Sequence, residues 1–316
     1  MNLHFFGKSD RGIVRDNNED FFFAERIGEG EYLFAVADGM GGHLAGEVAS
    51  RRAIETLVRE FTRKTDEPLP SKIRRVFDKI NSEIIEEGNE NIDQRGMGTT
   101  LSALYIKKDK AFVAHIGDSR IYQFSGRLDQ LTEDHSFVGK LVKDGLISPE
   151  EAKIHPKRNI LYQSIGMRRG INVQVEGPIK IKEGDKFLLC TDGLTAVVDE
   201  EEIESLLSKD ISAKKTVNEL IETALKRGAP DNVTVIAITT KAYDETKEYH
   251  LTKRKRKKKK LNWFLLLILL LLIILSFVFA DLYLKYKNES KNEENIENVN
   301  SGNNHTFNLL IETIKK

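Results

Sequence analysis

Short apolar runs separated by polar turns mark residues 1–245 as a mixture of strands and helices. Eight runs have the length and the Val, Ile, Phe or Tyr content typical of strands. They are Phe21–Ala24, Tyr32–Ala37, Leu101–Ile106, Ala111–Ile116, Ile121–Phe124, Asn172–Val175, Lys186–Cys190 and Val233–Thr239. Strands and helices come in clusters instead of strict alternation, which favours an α+β fold with antiparallel sheets.

Helical periodicity predicts five further segments. In the first, Val48, Ile54 and Leu57 fall on one face of a helix. The segments are Leu44–Lys64, Ser71–Glu87, Phe137–Asp144, Glu200–Ser208 and Ala213–Arg227. Another helix is expected to begin at Ser148, because Pro149 suits the first helical position and Glu151 completes a capping box.

The C-terminal part contains an apolar stretch, WFLLLILLLLIILSFVFA, from Trp263 to Ala280. As a helix, the stretch would span roughly 27 Å, close to the ~30 Å hydrocarbon core of a bilayer. The alternative is a buried core helix, but no polar face exists and the stretch lies outside the predicted domain. We therefore expect one transmembrane helix at residues 261–280.

A basic run, Lys253–Lys260, directly precedes this stretch and carries eight Lys and Arg residues without an acid. Such a run also occurs in nuclear-localisation or nucleic-acid patches, but its position favours a topology signal that stays cytoplasmic. We expect residues 1–245 to form a cytoplasmic domain and 246–260 a juxtamembrane linker that attracts anionic lipid. Residues 281–316, rich in Asn, Glu and Lys, are expected to be a disordered extracytoplasmic tail.

Charge and cysteine content narrow the class of protein further. Residues 1–252 carry 36 Lys and Arg against 43 Asp and Glu, a net charge of −7, which gives no reason to expect a nucleic-acid partner. The lone cysteine, Cys190, rules out an internal disulfide and agrees with a reducing compartment. No pattern of a cleaved signal peptide is visible at the N-terminus.

Four aspartates stand where predicted strands begin or end: Asp38, Asp118, Asp192 and Asp231. Any one of them is explained by a turn, which Asp-Gly and Asp-Asn commonly form. Four together favour metal binding, because converging carboxylates repel one another unless a cation joins them. Oxygen ligands without a Cys/His cluster favour Mg²⁺ or Mn²⁺ over zinc.

A fifth candidate, Arg15, lies in the motif GIVRDNNED just before the first predicted strand. It would pair on the surface with Asp16 or Glu19 if it had no further role. A planar guanidinium beside a metal cluster is also a suitable group to hold a phosphate dianion.

Seven motifs occur in order across residues 7–240: GIVRDNNED, VADGMGGHLAGEVAS, GMGTTLSAL, HIGDSRIYQF, EDHS, CTDGL and GAPDNVTV. The series closely resembles the bacterial branch of the protein phosphatase 2C type, the metal-dependent Ser/Thr phosphatases. The resemblance implies a four-layer α-β-β-α sandwich of two antiparallel sheets flanked by helices. It also implies hydrolysis of phosphoserine and phosphothreonine in proteins by a metal-activated water.

The resemblance assigns the metal ligands residue by residue. Asp38 matches the ligand that bridges two ions, and Gly39 matches the residue whose backbone carbonyl binds one of them. Asp192 and Asp231 would complete the protein ligands of the other ion. Asp118 matches the ligand of a third, weaker ion, so two or three Mn²⁺ or Mg²⁺ ions are implied.

The resemblance also implies roles around the metals. Arg15 matches the phosphate-binding arginine, and Glu19 and Asp20 match acids that hold metal-bound water. Met40 stands where animal and yeast relatives carry a histidine, so the acid that protonates the leaving group stays unassigned. Nothing carries that role to His43, three residues on.

The two histidines of the motifs, the segment beside the cleft and the partners complete the interpretation. His115 and His135 are interpreted as structural, and residues 136–166 match the family's variable flap beside the cleft. Phosphoprotein substrates and an opposing Hanks-type Ser/Thr kinase are the partners implied. A cysteine-dependent phosphatase is disfavoured because Cys190 lies inside an apolar strand. An inactive pseudophosphatase is disfavoured because Asp38, Asp192 and Asp231 are all present. A nucleic-acid binder is disfavoured because residues 1–252 carry a net negative charge.

Overall fold

A computed structural model describes residues 2–41, 44–241, 271–280, 282, 283 and 285. The chain divides into two compact units, Met1–Tyr243 and Asp244–Lys316.

Antiparallel strands make up both sheets of the first unit. In chain order the strands are β1 (His4–Asp10), β2 (Asp20–Gly28), β3 (Glu31–Met40), β4 (Gly98–Thr99), β5 (Leu101–Lys107), β6 (Lys110–Ile116), β7 (Arg120–Phe124), β8 (Leu128–Gln130), β9 (Gln174–Lys180), β10 (Lys186–Cys190) and β11 (Val233–Thr239). One sheet has the order β1-β11-β10-β7-β8, and the other has the order β2-β3-β5-β6-β9 with β4 paired to β3. The first strand of the chain therefore pairs with the last, along the full register from His4–Thr239 to Asp10–Val233.

Helices cover the outer faces of both sheets. In chain order, the α-helices of the first unit are α1 (Ala45–Thr62), α2 (Leu69–Glu90), α3 (Phe137–Lys143), α4 (Pro149–Ile154), α5 (Asp192–Thr195), α6 (Glu200–Leu207) and α7 (Ala213–Lys226). Of these, α3 and α4 lie within residues 136–166 and contact each other, whereas the others pack on the sheets. The predicted capping box at Ser148 is present at the start of α4. Strands β1, β4 and β8 and helix α5 were not predicted, and β9 begins two residues later than the predicted Asn172 and extends to Lys180.

Three buried clusters show the layer order. Along β3, Leu33, Ala35 and Ala37 pack with α1 and α2, whereas Phe34 and Val36 pack with residues of the other sheet. This alternation follows from the two-residue period of a strand. A third cluster joins α6 and α7 to the outer face of the five-stranded sheet. The predicted α+β sandwich of two antiparallel sheets flanked by helices is confirmed.

The helices α1 and α2 run antiparallel and are joined by two ion pairs. Arg52, in the middle of α1, forms a two-pronged ion pair with Glu87 near the end of α2, at 2.8 and 3.2 Å. Arg59, near the end of α1, pairs with Glu83 one turn earlier in α2, at 3.0 Å. The last turns of α2 therefore lie beside the middle of α1.

In the second unit, residues 271–280 are helical, and their large apolar side chains are 43–70% exposed. Within the described residues, no helix has the length and apolar character that crossing a membrane requires. The predicted linker at 246–260, residues 261–270 of the predicted membrane helix and nearly all of the predicted tail at 281–316 lie outside the described residues.

Candidate metal centre

Strand ends bring the predicted carboxylates together. Asp20 and Asp38 are direct partners in the β2–β3 register. Asp192 is the first residue of α5 after β10, Asp231 precedes β11, and Asp118 lies in the turn between β6 and β7. Burial, followed by the negative charges of Asp20, Asp192, Asp118 and Asp231, raises the pKa of Asp38 well above its usual value. All five carboxylates therefore share one electrostatic environment.

Asp20 ties the two sheets together inside this cluster. Its side chain is 5% exposed, and its Oδ2 accepts hydrogen bonds from the hydroxyls of Thr191 and Thr234, at 2.8 and 2.6 Å. The Oδ1 atom is buried without a hydrogen-bond partner in the described residues. Burial raises the pKa of Asp20 to about 7, despite the two hydroxyl hydrogen bonds that favour its ionised form.

The pKa values of Asp192 and Asp118 are also raised. Burial and the charge of Asp231 raise the pKa of Asp192, and a hydrogen bond with Asp38 partly opposes the shift. The Oδ1 atom of Asp192 is also buried without a hydrogen-bond partner in the described part of the chain. Burial, then the charges of Asp192 and Asp134, raises the pKa of Asp118 well above its usual value.

Gly39 lies where no side chain fits. A Cβ at this position would lie 2.1 Å from the carbonyl oxygen of Gly46 in α1 and 2.7 Å from that of Glu19. The Gly39 N–H donates to the same Glu19 carbonyl at 3.1 Å. A Cβ on Gly46 would in turn lie 2.7 Å from the Glu19 carboxylate. The two glycines therefore let the backbone after Asp38, the start of α1 and Glu19 pack into one compact corner.

Arg15 pairs with Asp231, which is neither of the neighbours that the sequence offered. Its guanidinium donates to Asp231 Oδ2 at 2.7 Å, and the arginine side chain is 48% exposed. Burial lowers the pKa of Arg15, but the attraction of Asp231 outweighs it, so the pKa is raised. The predicted phosphate-binding cation thus stands at the edge of the carboxylate cluster with part of its donor fork facing solvent.

Asn232 holds the loop that carries Arg15, a role that sequence reasoning missed. The residue is 4% exposed, and its amide donates to the carbonyls of Arg11 and Asn17 at 2.8 and 2.9 Å. Its Oδ1 accepts from the N–H of Glu19 at 2.8 Å. The motif GAPDN contains this residue, but the sequence alone points only to its aspartate, because carboxylates are the side chains that bind a hard metal ion.

The turn that carries Asp118 is supported by hydroxyls and histidines. The hydroxyls of Thr100 and Ser119 lie 2.8 Å apart. The buried ring of His115 lies within hydrogen-bond distance of Ser102 Oγ and of the Gly117 carbonyl, at 2.8 and 3.0 Å. Burial and the neighbouring His135 lower the pKa of His115 to about 3, so it is neutral near pH 7. These contacts agree with a structural role for His115.

The residues just before the flap (136–166) contact the turn that carries Asp118. His135 accepts a hydrogen bond from the Gly117 N–H at 3.1 Å. Its neighbour Asp134 accepts three contacts from Arg120, at 2.7 to 3.1 Å. The segment that leads into the flap is therefore fixed to the turn that bears Asp118.

These residues suit a divalent cation, although the carboxylates do not close into a cage. Within the described ranges, no three His, Cys, Asp or Glu side chains are arranged to hold a metal ion by themselves. Mg²⁺ commonly binds one or two carboxylates and keeps several waters, so a full protein cage is not required. Two buried carboxylate oxygens, on Asp20 and Asp192, have no hydrogen-bond partner among the residues that the structure describes. Together with the raised carboxyl pKa values, they show a local excess of negative charge that a cation would relieve.

Two other candidates are resolved differently. Cys190 is fully buried, and burial raises the pKa of its thiol to about 12, which disfavours a thiolate nucleophile. His43 lies outside the described residues, so the leaving-group acid stays unassigned.

Known proteins share this arrangement of elements and motifs. The sequence profile described as "Protein phosphatase 2C" matches residues 12–234. The chain is 40% identical over 247 residues to the serine/threonine protein phosphatase PstP of Mycobacterium tuberculosis, covering 77% of this chain but only 46% of that protein. It is 39% identical over 241 residues to a putative protein phosphatase 2C-type of Streptococcus pyogenes, covering 75% of this chain and 97% of that protein.

A solved structure extends the similarity to the fold. The catalytic domain of PstP in complex with two manganese ions matches with a TM-score of 0.66 and 37% identity, over 75% of this chain and 97% of that one. The chain thus spans about half the length of the mycobacterial relative and nearly all of the streptococcal one. On its sequence, its fold and the matched residues, the chain belongs to the protein phosphatase 2C family.

Proposed function

We propose that this chain hydrolyses phosphoserine and phosphothreonine esters in proteins, using Mn²⁺ or Mg²⁺ bound at the carboxylate cluster. The observation that carries the proposal is the placement of Arg15 at the edge of a cluster of buried carboxylates, two of whose oxygens have no hydrogen-bond partner in the described part of the chain. Relatives named as serine/threonine phosphatases, one of them solved with two manganese ions, support the same reaction.

Each residue has a defined task in this proposal. Asp38, Asp192, Asp231 and the Gly39 carbonyl would bind two ions, and Asp118 a third. Bound divalent ions supply an acidified water and polarise phosphoryl oxygens.

The neighbouring side chains bind and orient the substrate and the water. Arg15 would bind the phosphate oxygens through the part of its fork that faces solvent. Glu19 and Asp20 would accept hydrogen bonds from water next to the ions, and the hydroxyls of Thr191 and Thr234 fix the orientation of Asp20.

Turnover of a phosphothreonine peptide by the full-length protein in detergent tests the reaction. We expect activity with Mn²⁺ or Mg²⁺ and none in excess chelator. Asp38→Ala should abolish turnover, whereas Asp129→Ala should not, because Asp129 is an exposed acid paired with Arg127. Full activity in chelator, or binding of the phosphopeptide without any turnover, would refute the proposal.

The role of Arg15 needs a separate measurement. Arg15→Ala should raise KM for a small phosphate ester more than it lowers kcat, because the guanidinium binds the phosphate before and during reaction. An unchanged KM would show that Arg15 does not bind phosphate.

We also propose that the second unit anchors the domain to the cytoplasmic face of the cell membrane. The 18-residue apolar stretch Trp263–Ala280 and the preceding basic run Lys253–Lys260 support this proposal. The basic run would also attract anionic lipid. A protein Ser/Thr kinase, of the Hanks type by family resemblance, must form the phosphoesters that this enzyme would remove.

Protease protection in intact cells tests the anchor. Protease added outside should cut residues beyond Ala280 and leave the phosphatase domain whole. Cleavage within residues 1–241 would reverse the proposed topology, and release of the chain by a salt wash would show that it is not an integral membrane protein.

A further inference from the structure

A groove of about 310 Å³ lies where the end of α2 meets the loop 91–97 and the segment that leaves the flap. Its floor includes Ile84, Gly88, Met97 and Gly166. Three arginines, Arg95, Arg168 and Arg169, stand around it, and no Asp or Glu occurs among the described residues that line it. We call this feature the arginine groove.

The three arginines differ from those that join α1 to α2. Arg52 and Arg59 of α1 both pair with glutamates of α2. Arg95, Arg168 and Arg169 are exposed, and in the described part of the chain none of them forms an ion pair with an acid. Within the described residues, three positive charges without an acidic partner therefore surround one groove, although residues 1–252 as a whole carry a net charge of −7. Such a local concentration of positive charge indicates a site for an anion.

The groove is formed by fixed backbone. Asn81 in α2 is 3% exposed; its Oδ1 accepts from the Gly166 N–H at 2.8 Å and its amide donates to the Arg168 carbonyl at 2.9 Å. Gly166 has a φ of +87°, and a Cβ there would lie 2.6 Å from the Met97 carbonyl oxygen. The segment that carries Arg168 is therefore held against both α2 and the loop 91–97 without any bound ligand.

The arginine groove adjoins the metal centre through one short strand. Gly39 pairs with Thr99 in β4, and Thr99 pairs with Ile165 at the end of the flap. Two strand spacings amount to about 10 Å, a distance that about three residues of an extended peptide span. A Cβ on Gly41 would lie 2.9 Å from the Met97 Cα, so the loop after Asp38 also packs on the groove wall.

We propose that the arginine groove binds an anionic group of the same phosphoprotein substrate, about three or more residues from the phosphoresidue at the metal centre. The group is a carboxylate or a second phosphate, since guanidinium forks bind both through paired hydrogen bonds. The proposal rests on the phosphatase function proposed above. It adds a preference for acidic or multiply phosphorylated sequences.

Three peptides that share one phosphothreonine test the proposal. They differ only at the third to fifth residues on each side of the phosphothreonine. In the first peptide these residues are all alanine, and in the second they are all aspartate. In the third, one of them is a non-hydrolysable phosphonate residue and the others are alanine. The full-length protein with Mn²⁺ should turn over the acidic peptides with a kcat/KM about three- to tenfold above that of the alanine peptide, the combined effect of two or three exposed ion pairs. The gain should shrink as salt rises. A larger gain for the phosphonate than for the aspartates would identify a second phosphate as the ligand.

A triple variant, with Arg95, Arg168 and Arg169 each replaced by Gln, should lose this gain. Its turnover of the alanine peptide should equal that of the wild type, which also shows that the variant is folded.

The control variant, with exposed Arg74, Lys180 and Lys182 each replaced by Gln, removes the same charge elsewhere and should keep the preference. Equal preference in the triple variant and the wild type, or no preference in the wild type, would refute the groove but not the phosphatase function. No turnover of any peptide would refute both.

Discussion

Replacing Asn232 by alanine tests whether the loop that carries Arg15 is positioned from the far end of the chain. The change removes three hydrogen bonds, to Arg11, Asn17 and Glu19, from a side chain that is 4% exposed. At about 1 kcal/mol net for each bond, folding should weaken by about 3 kcal/mol. For a domain of this size, this corresponds to a fall in Tm of about 6–12 °C.

The same change should weaken phosphate binding. Asp231 keeps its hydrogen bond from the backbone N–H of residue 232, so the freed part is the loop with Arg15. Loss of one charge-assisted contact to phosphate corresponds to about a tenfold rise in KM for p-nitrophenyl phosphate. Thermal unfolding and steady-state kinetics, both with Mn²⁺ and below the new Tm, measure the two effects.

Asn81→Ala is the matched control, because Asn81 is 3% exposed and makes two side-chain hydrogen bonds to backbone away from the metal centre. Its Tm should fall by about 4–8 °C with KM for the small ester unchanged. If Asn232→Ala lowered Tm but left KM at the wild-type value, the inference that Asn232 positions Arg15 would be wrong.

Three further outcomes are expected from metal, pH and packing. In the full-length chain, Mn²⁺ at about 100 times its Kd should stabilise the folded state by about 2.7 kcal/mol, measured as a rise in Tm that Asp192→Asn reduces and Asp129→Asn does not. In chelator, burial raises the pKa of Asp20 in the folded chain to about 7, whereas an aspartate of the unfolded chain loses its proton near pH 4. The proton bound by Asp20 therefore stabilises the folded state fully below pH 4, and this stabilisation is lost as pH rises through 7. The Tm of Asp20→Asn, measured relative to that of the wild type, should therefore rise between pH 5 and pH 8. A Tm difference that stayed constant over this range would show that Asp20 ionises with an ordinary pKa. Gly39→Ala should cost about 1–3 kcal/mol or more, because its Cβ would lie 2.1 Å from a backbone oxygen, whereas Gly28→Ala, with a nearest contact of 3.4 Å, should be tolerated better.

Local pattern was enough for most of the strands. The runs Lys186–Cys190 and Val233–Thr239 are strongly apolar and have the predicted bounds. β1 was missed because none of its residues is fully buried, so its sequence HFFGKSD lacks a clear alternation. β4 and α5 contain two and four residues, too few for any periodicity to show.

The candidate site depended on motifs and on contacts that spacing does not reveal. Aspartates at strand ends were found from sequence, but their convergence follows from pairing between distant strands, as between Asp20 and Asp38. Arg15 donates a hydrogen bond to Asp231, 216 residues away, which its neighbours in the sequence give no means to predict. The charge of Glu19, one of the two neighbours considered, also raises the pKa of Arg15. Residues 246–270 lie outside the described residues, so the linker and the first half of the proposed membrane helix stay predictions.

The pairing of β1 with β11 has a consequence for synthesis of the chain. About 230 residues separate the two strands, so β1 leaves the ribosome roughly 10 to 50 seconds before its partner. Once β10 has also emerged, β1 and β10 both still lack the central neighbour that lies between them in the finished sheet. Asp231 and Asn232 emerge just before that last strand, so a nascent chain has neither the complete carboxylate cluster nor a fixed Arg15 loop. The proposed phosphatase activity would therefore be absent until translation of the domain is finished. A product truncated before Val233 would expose two unpaired strand edges to aggregation.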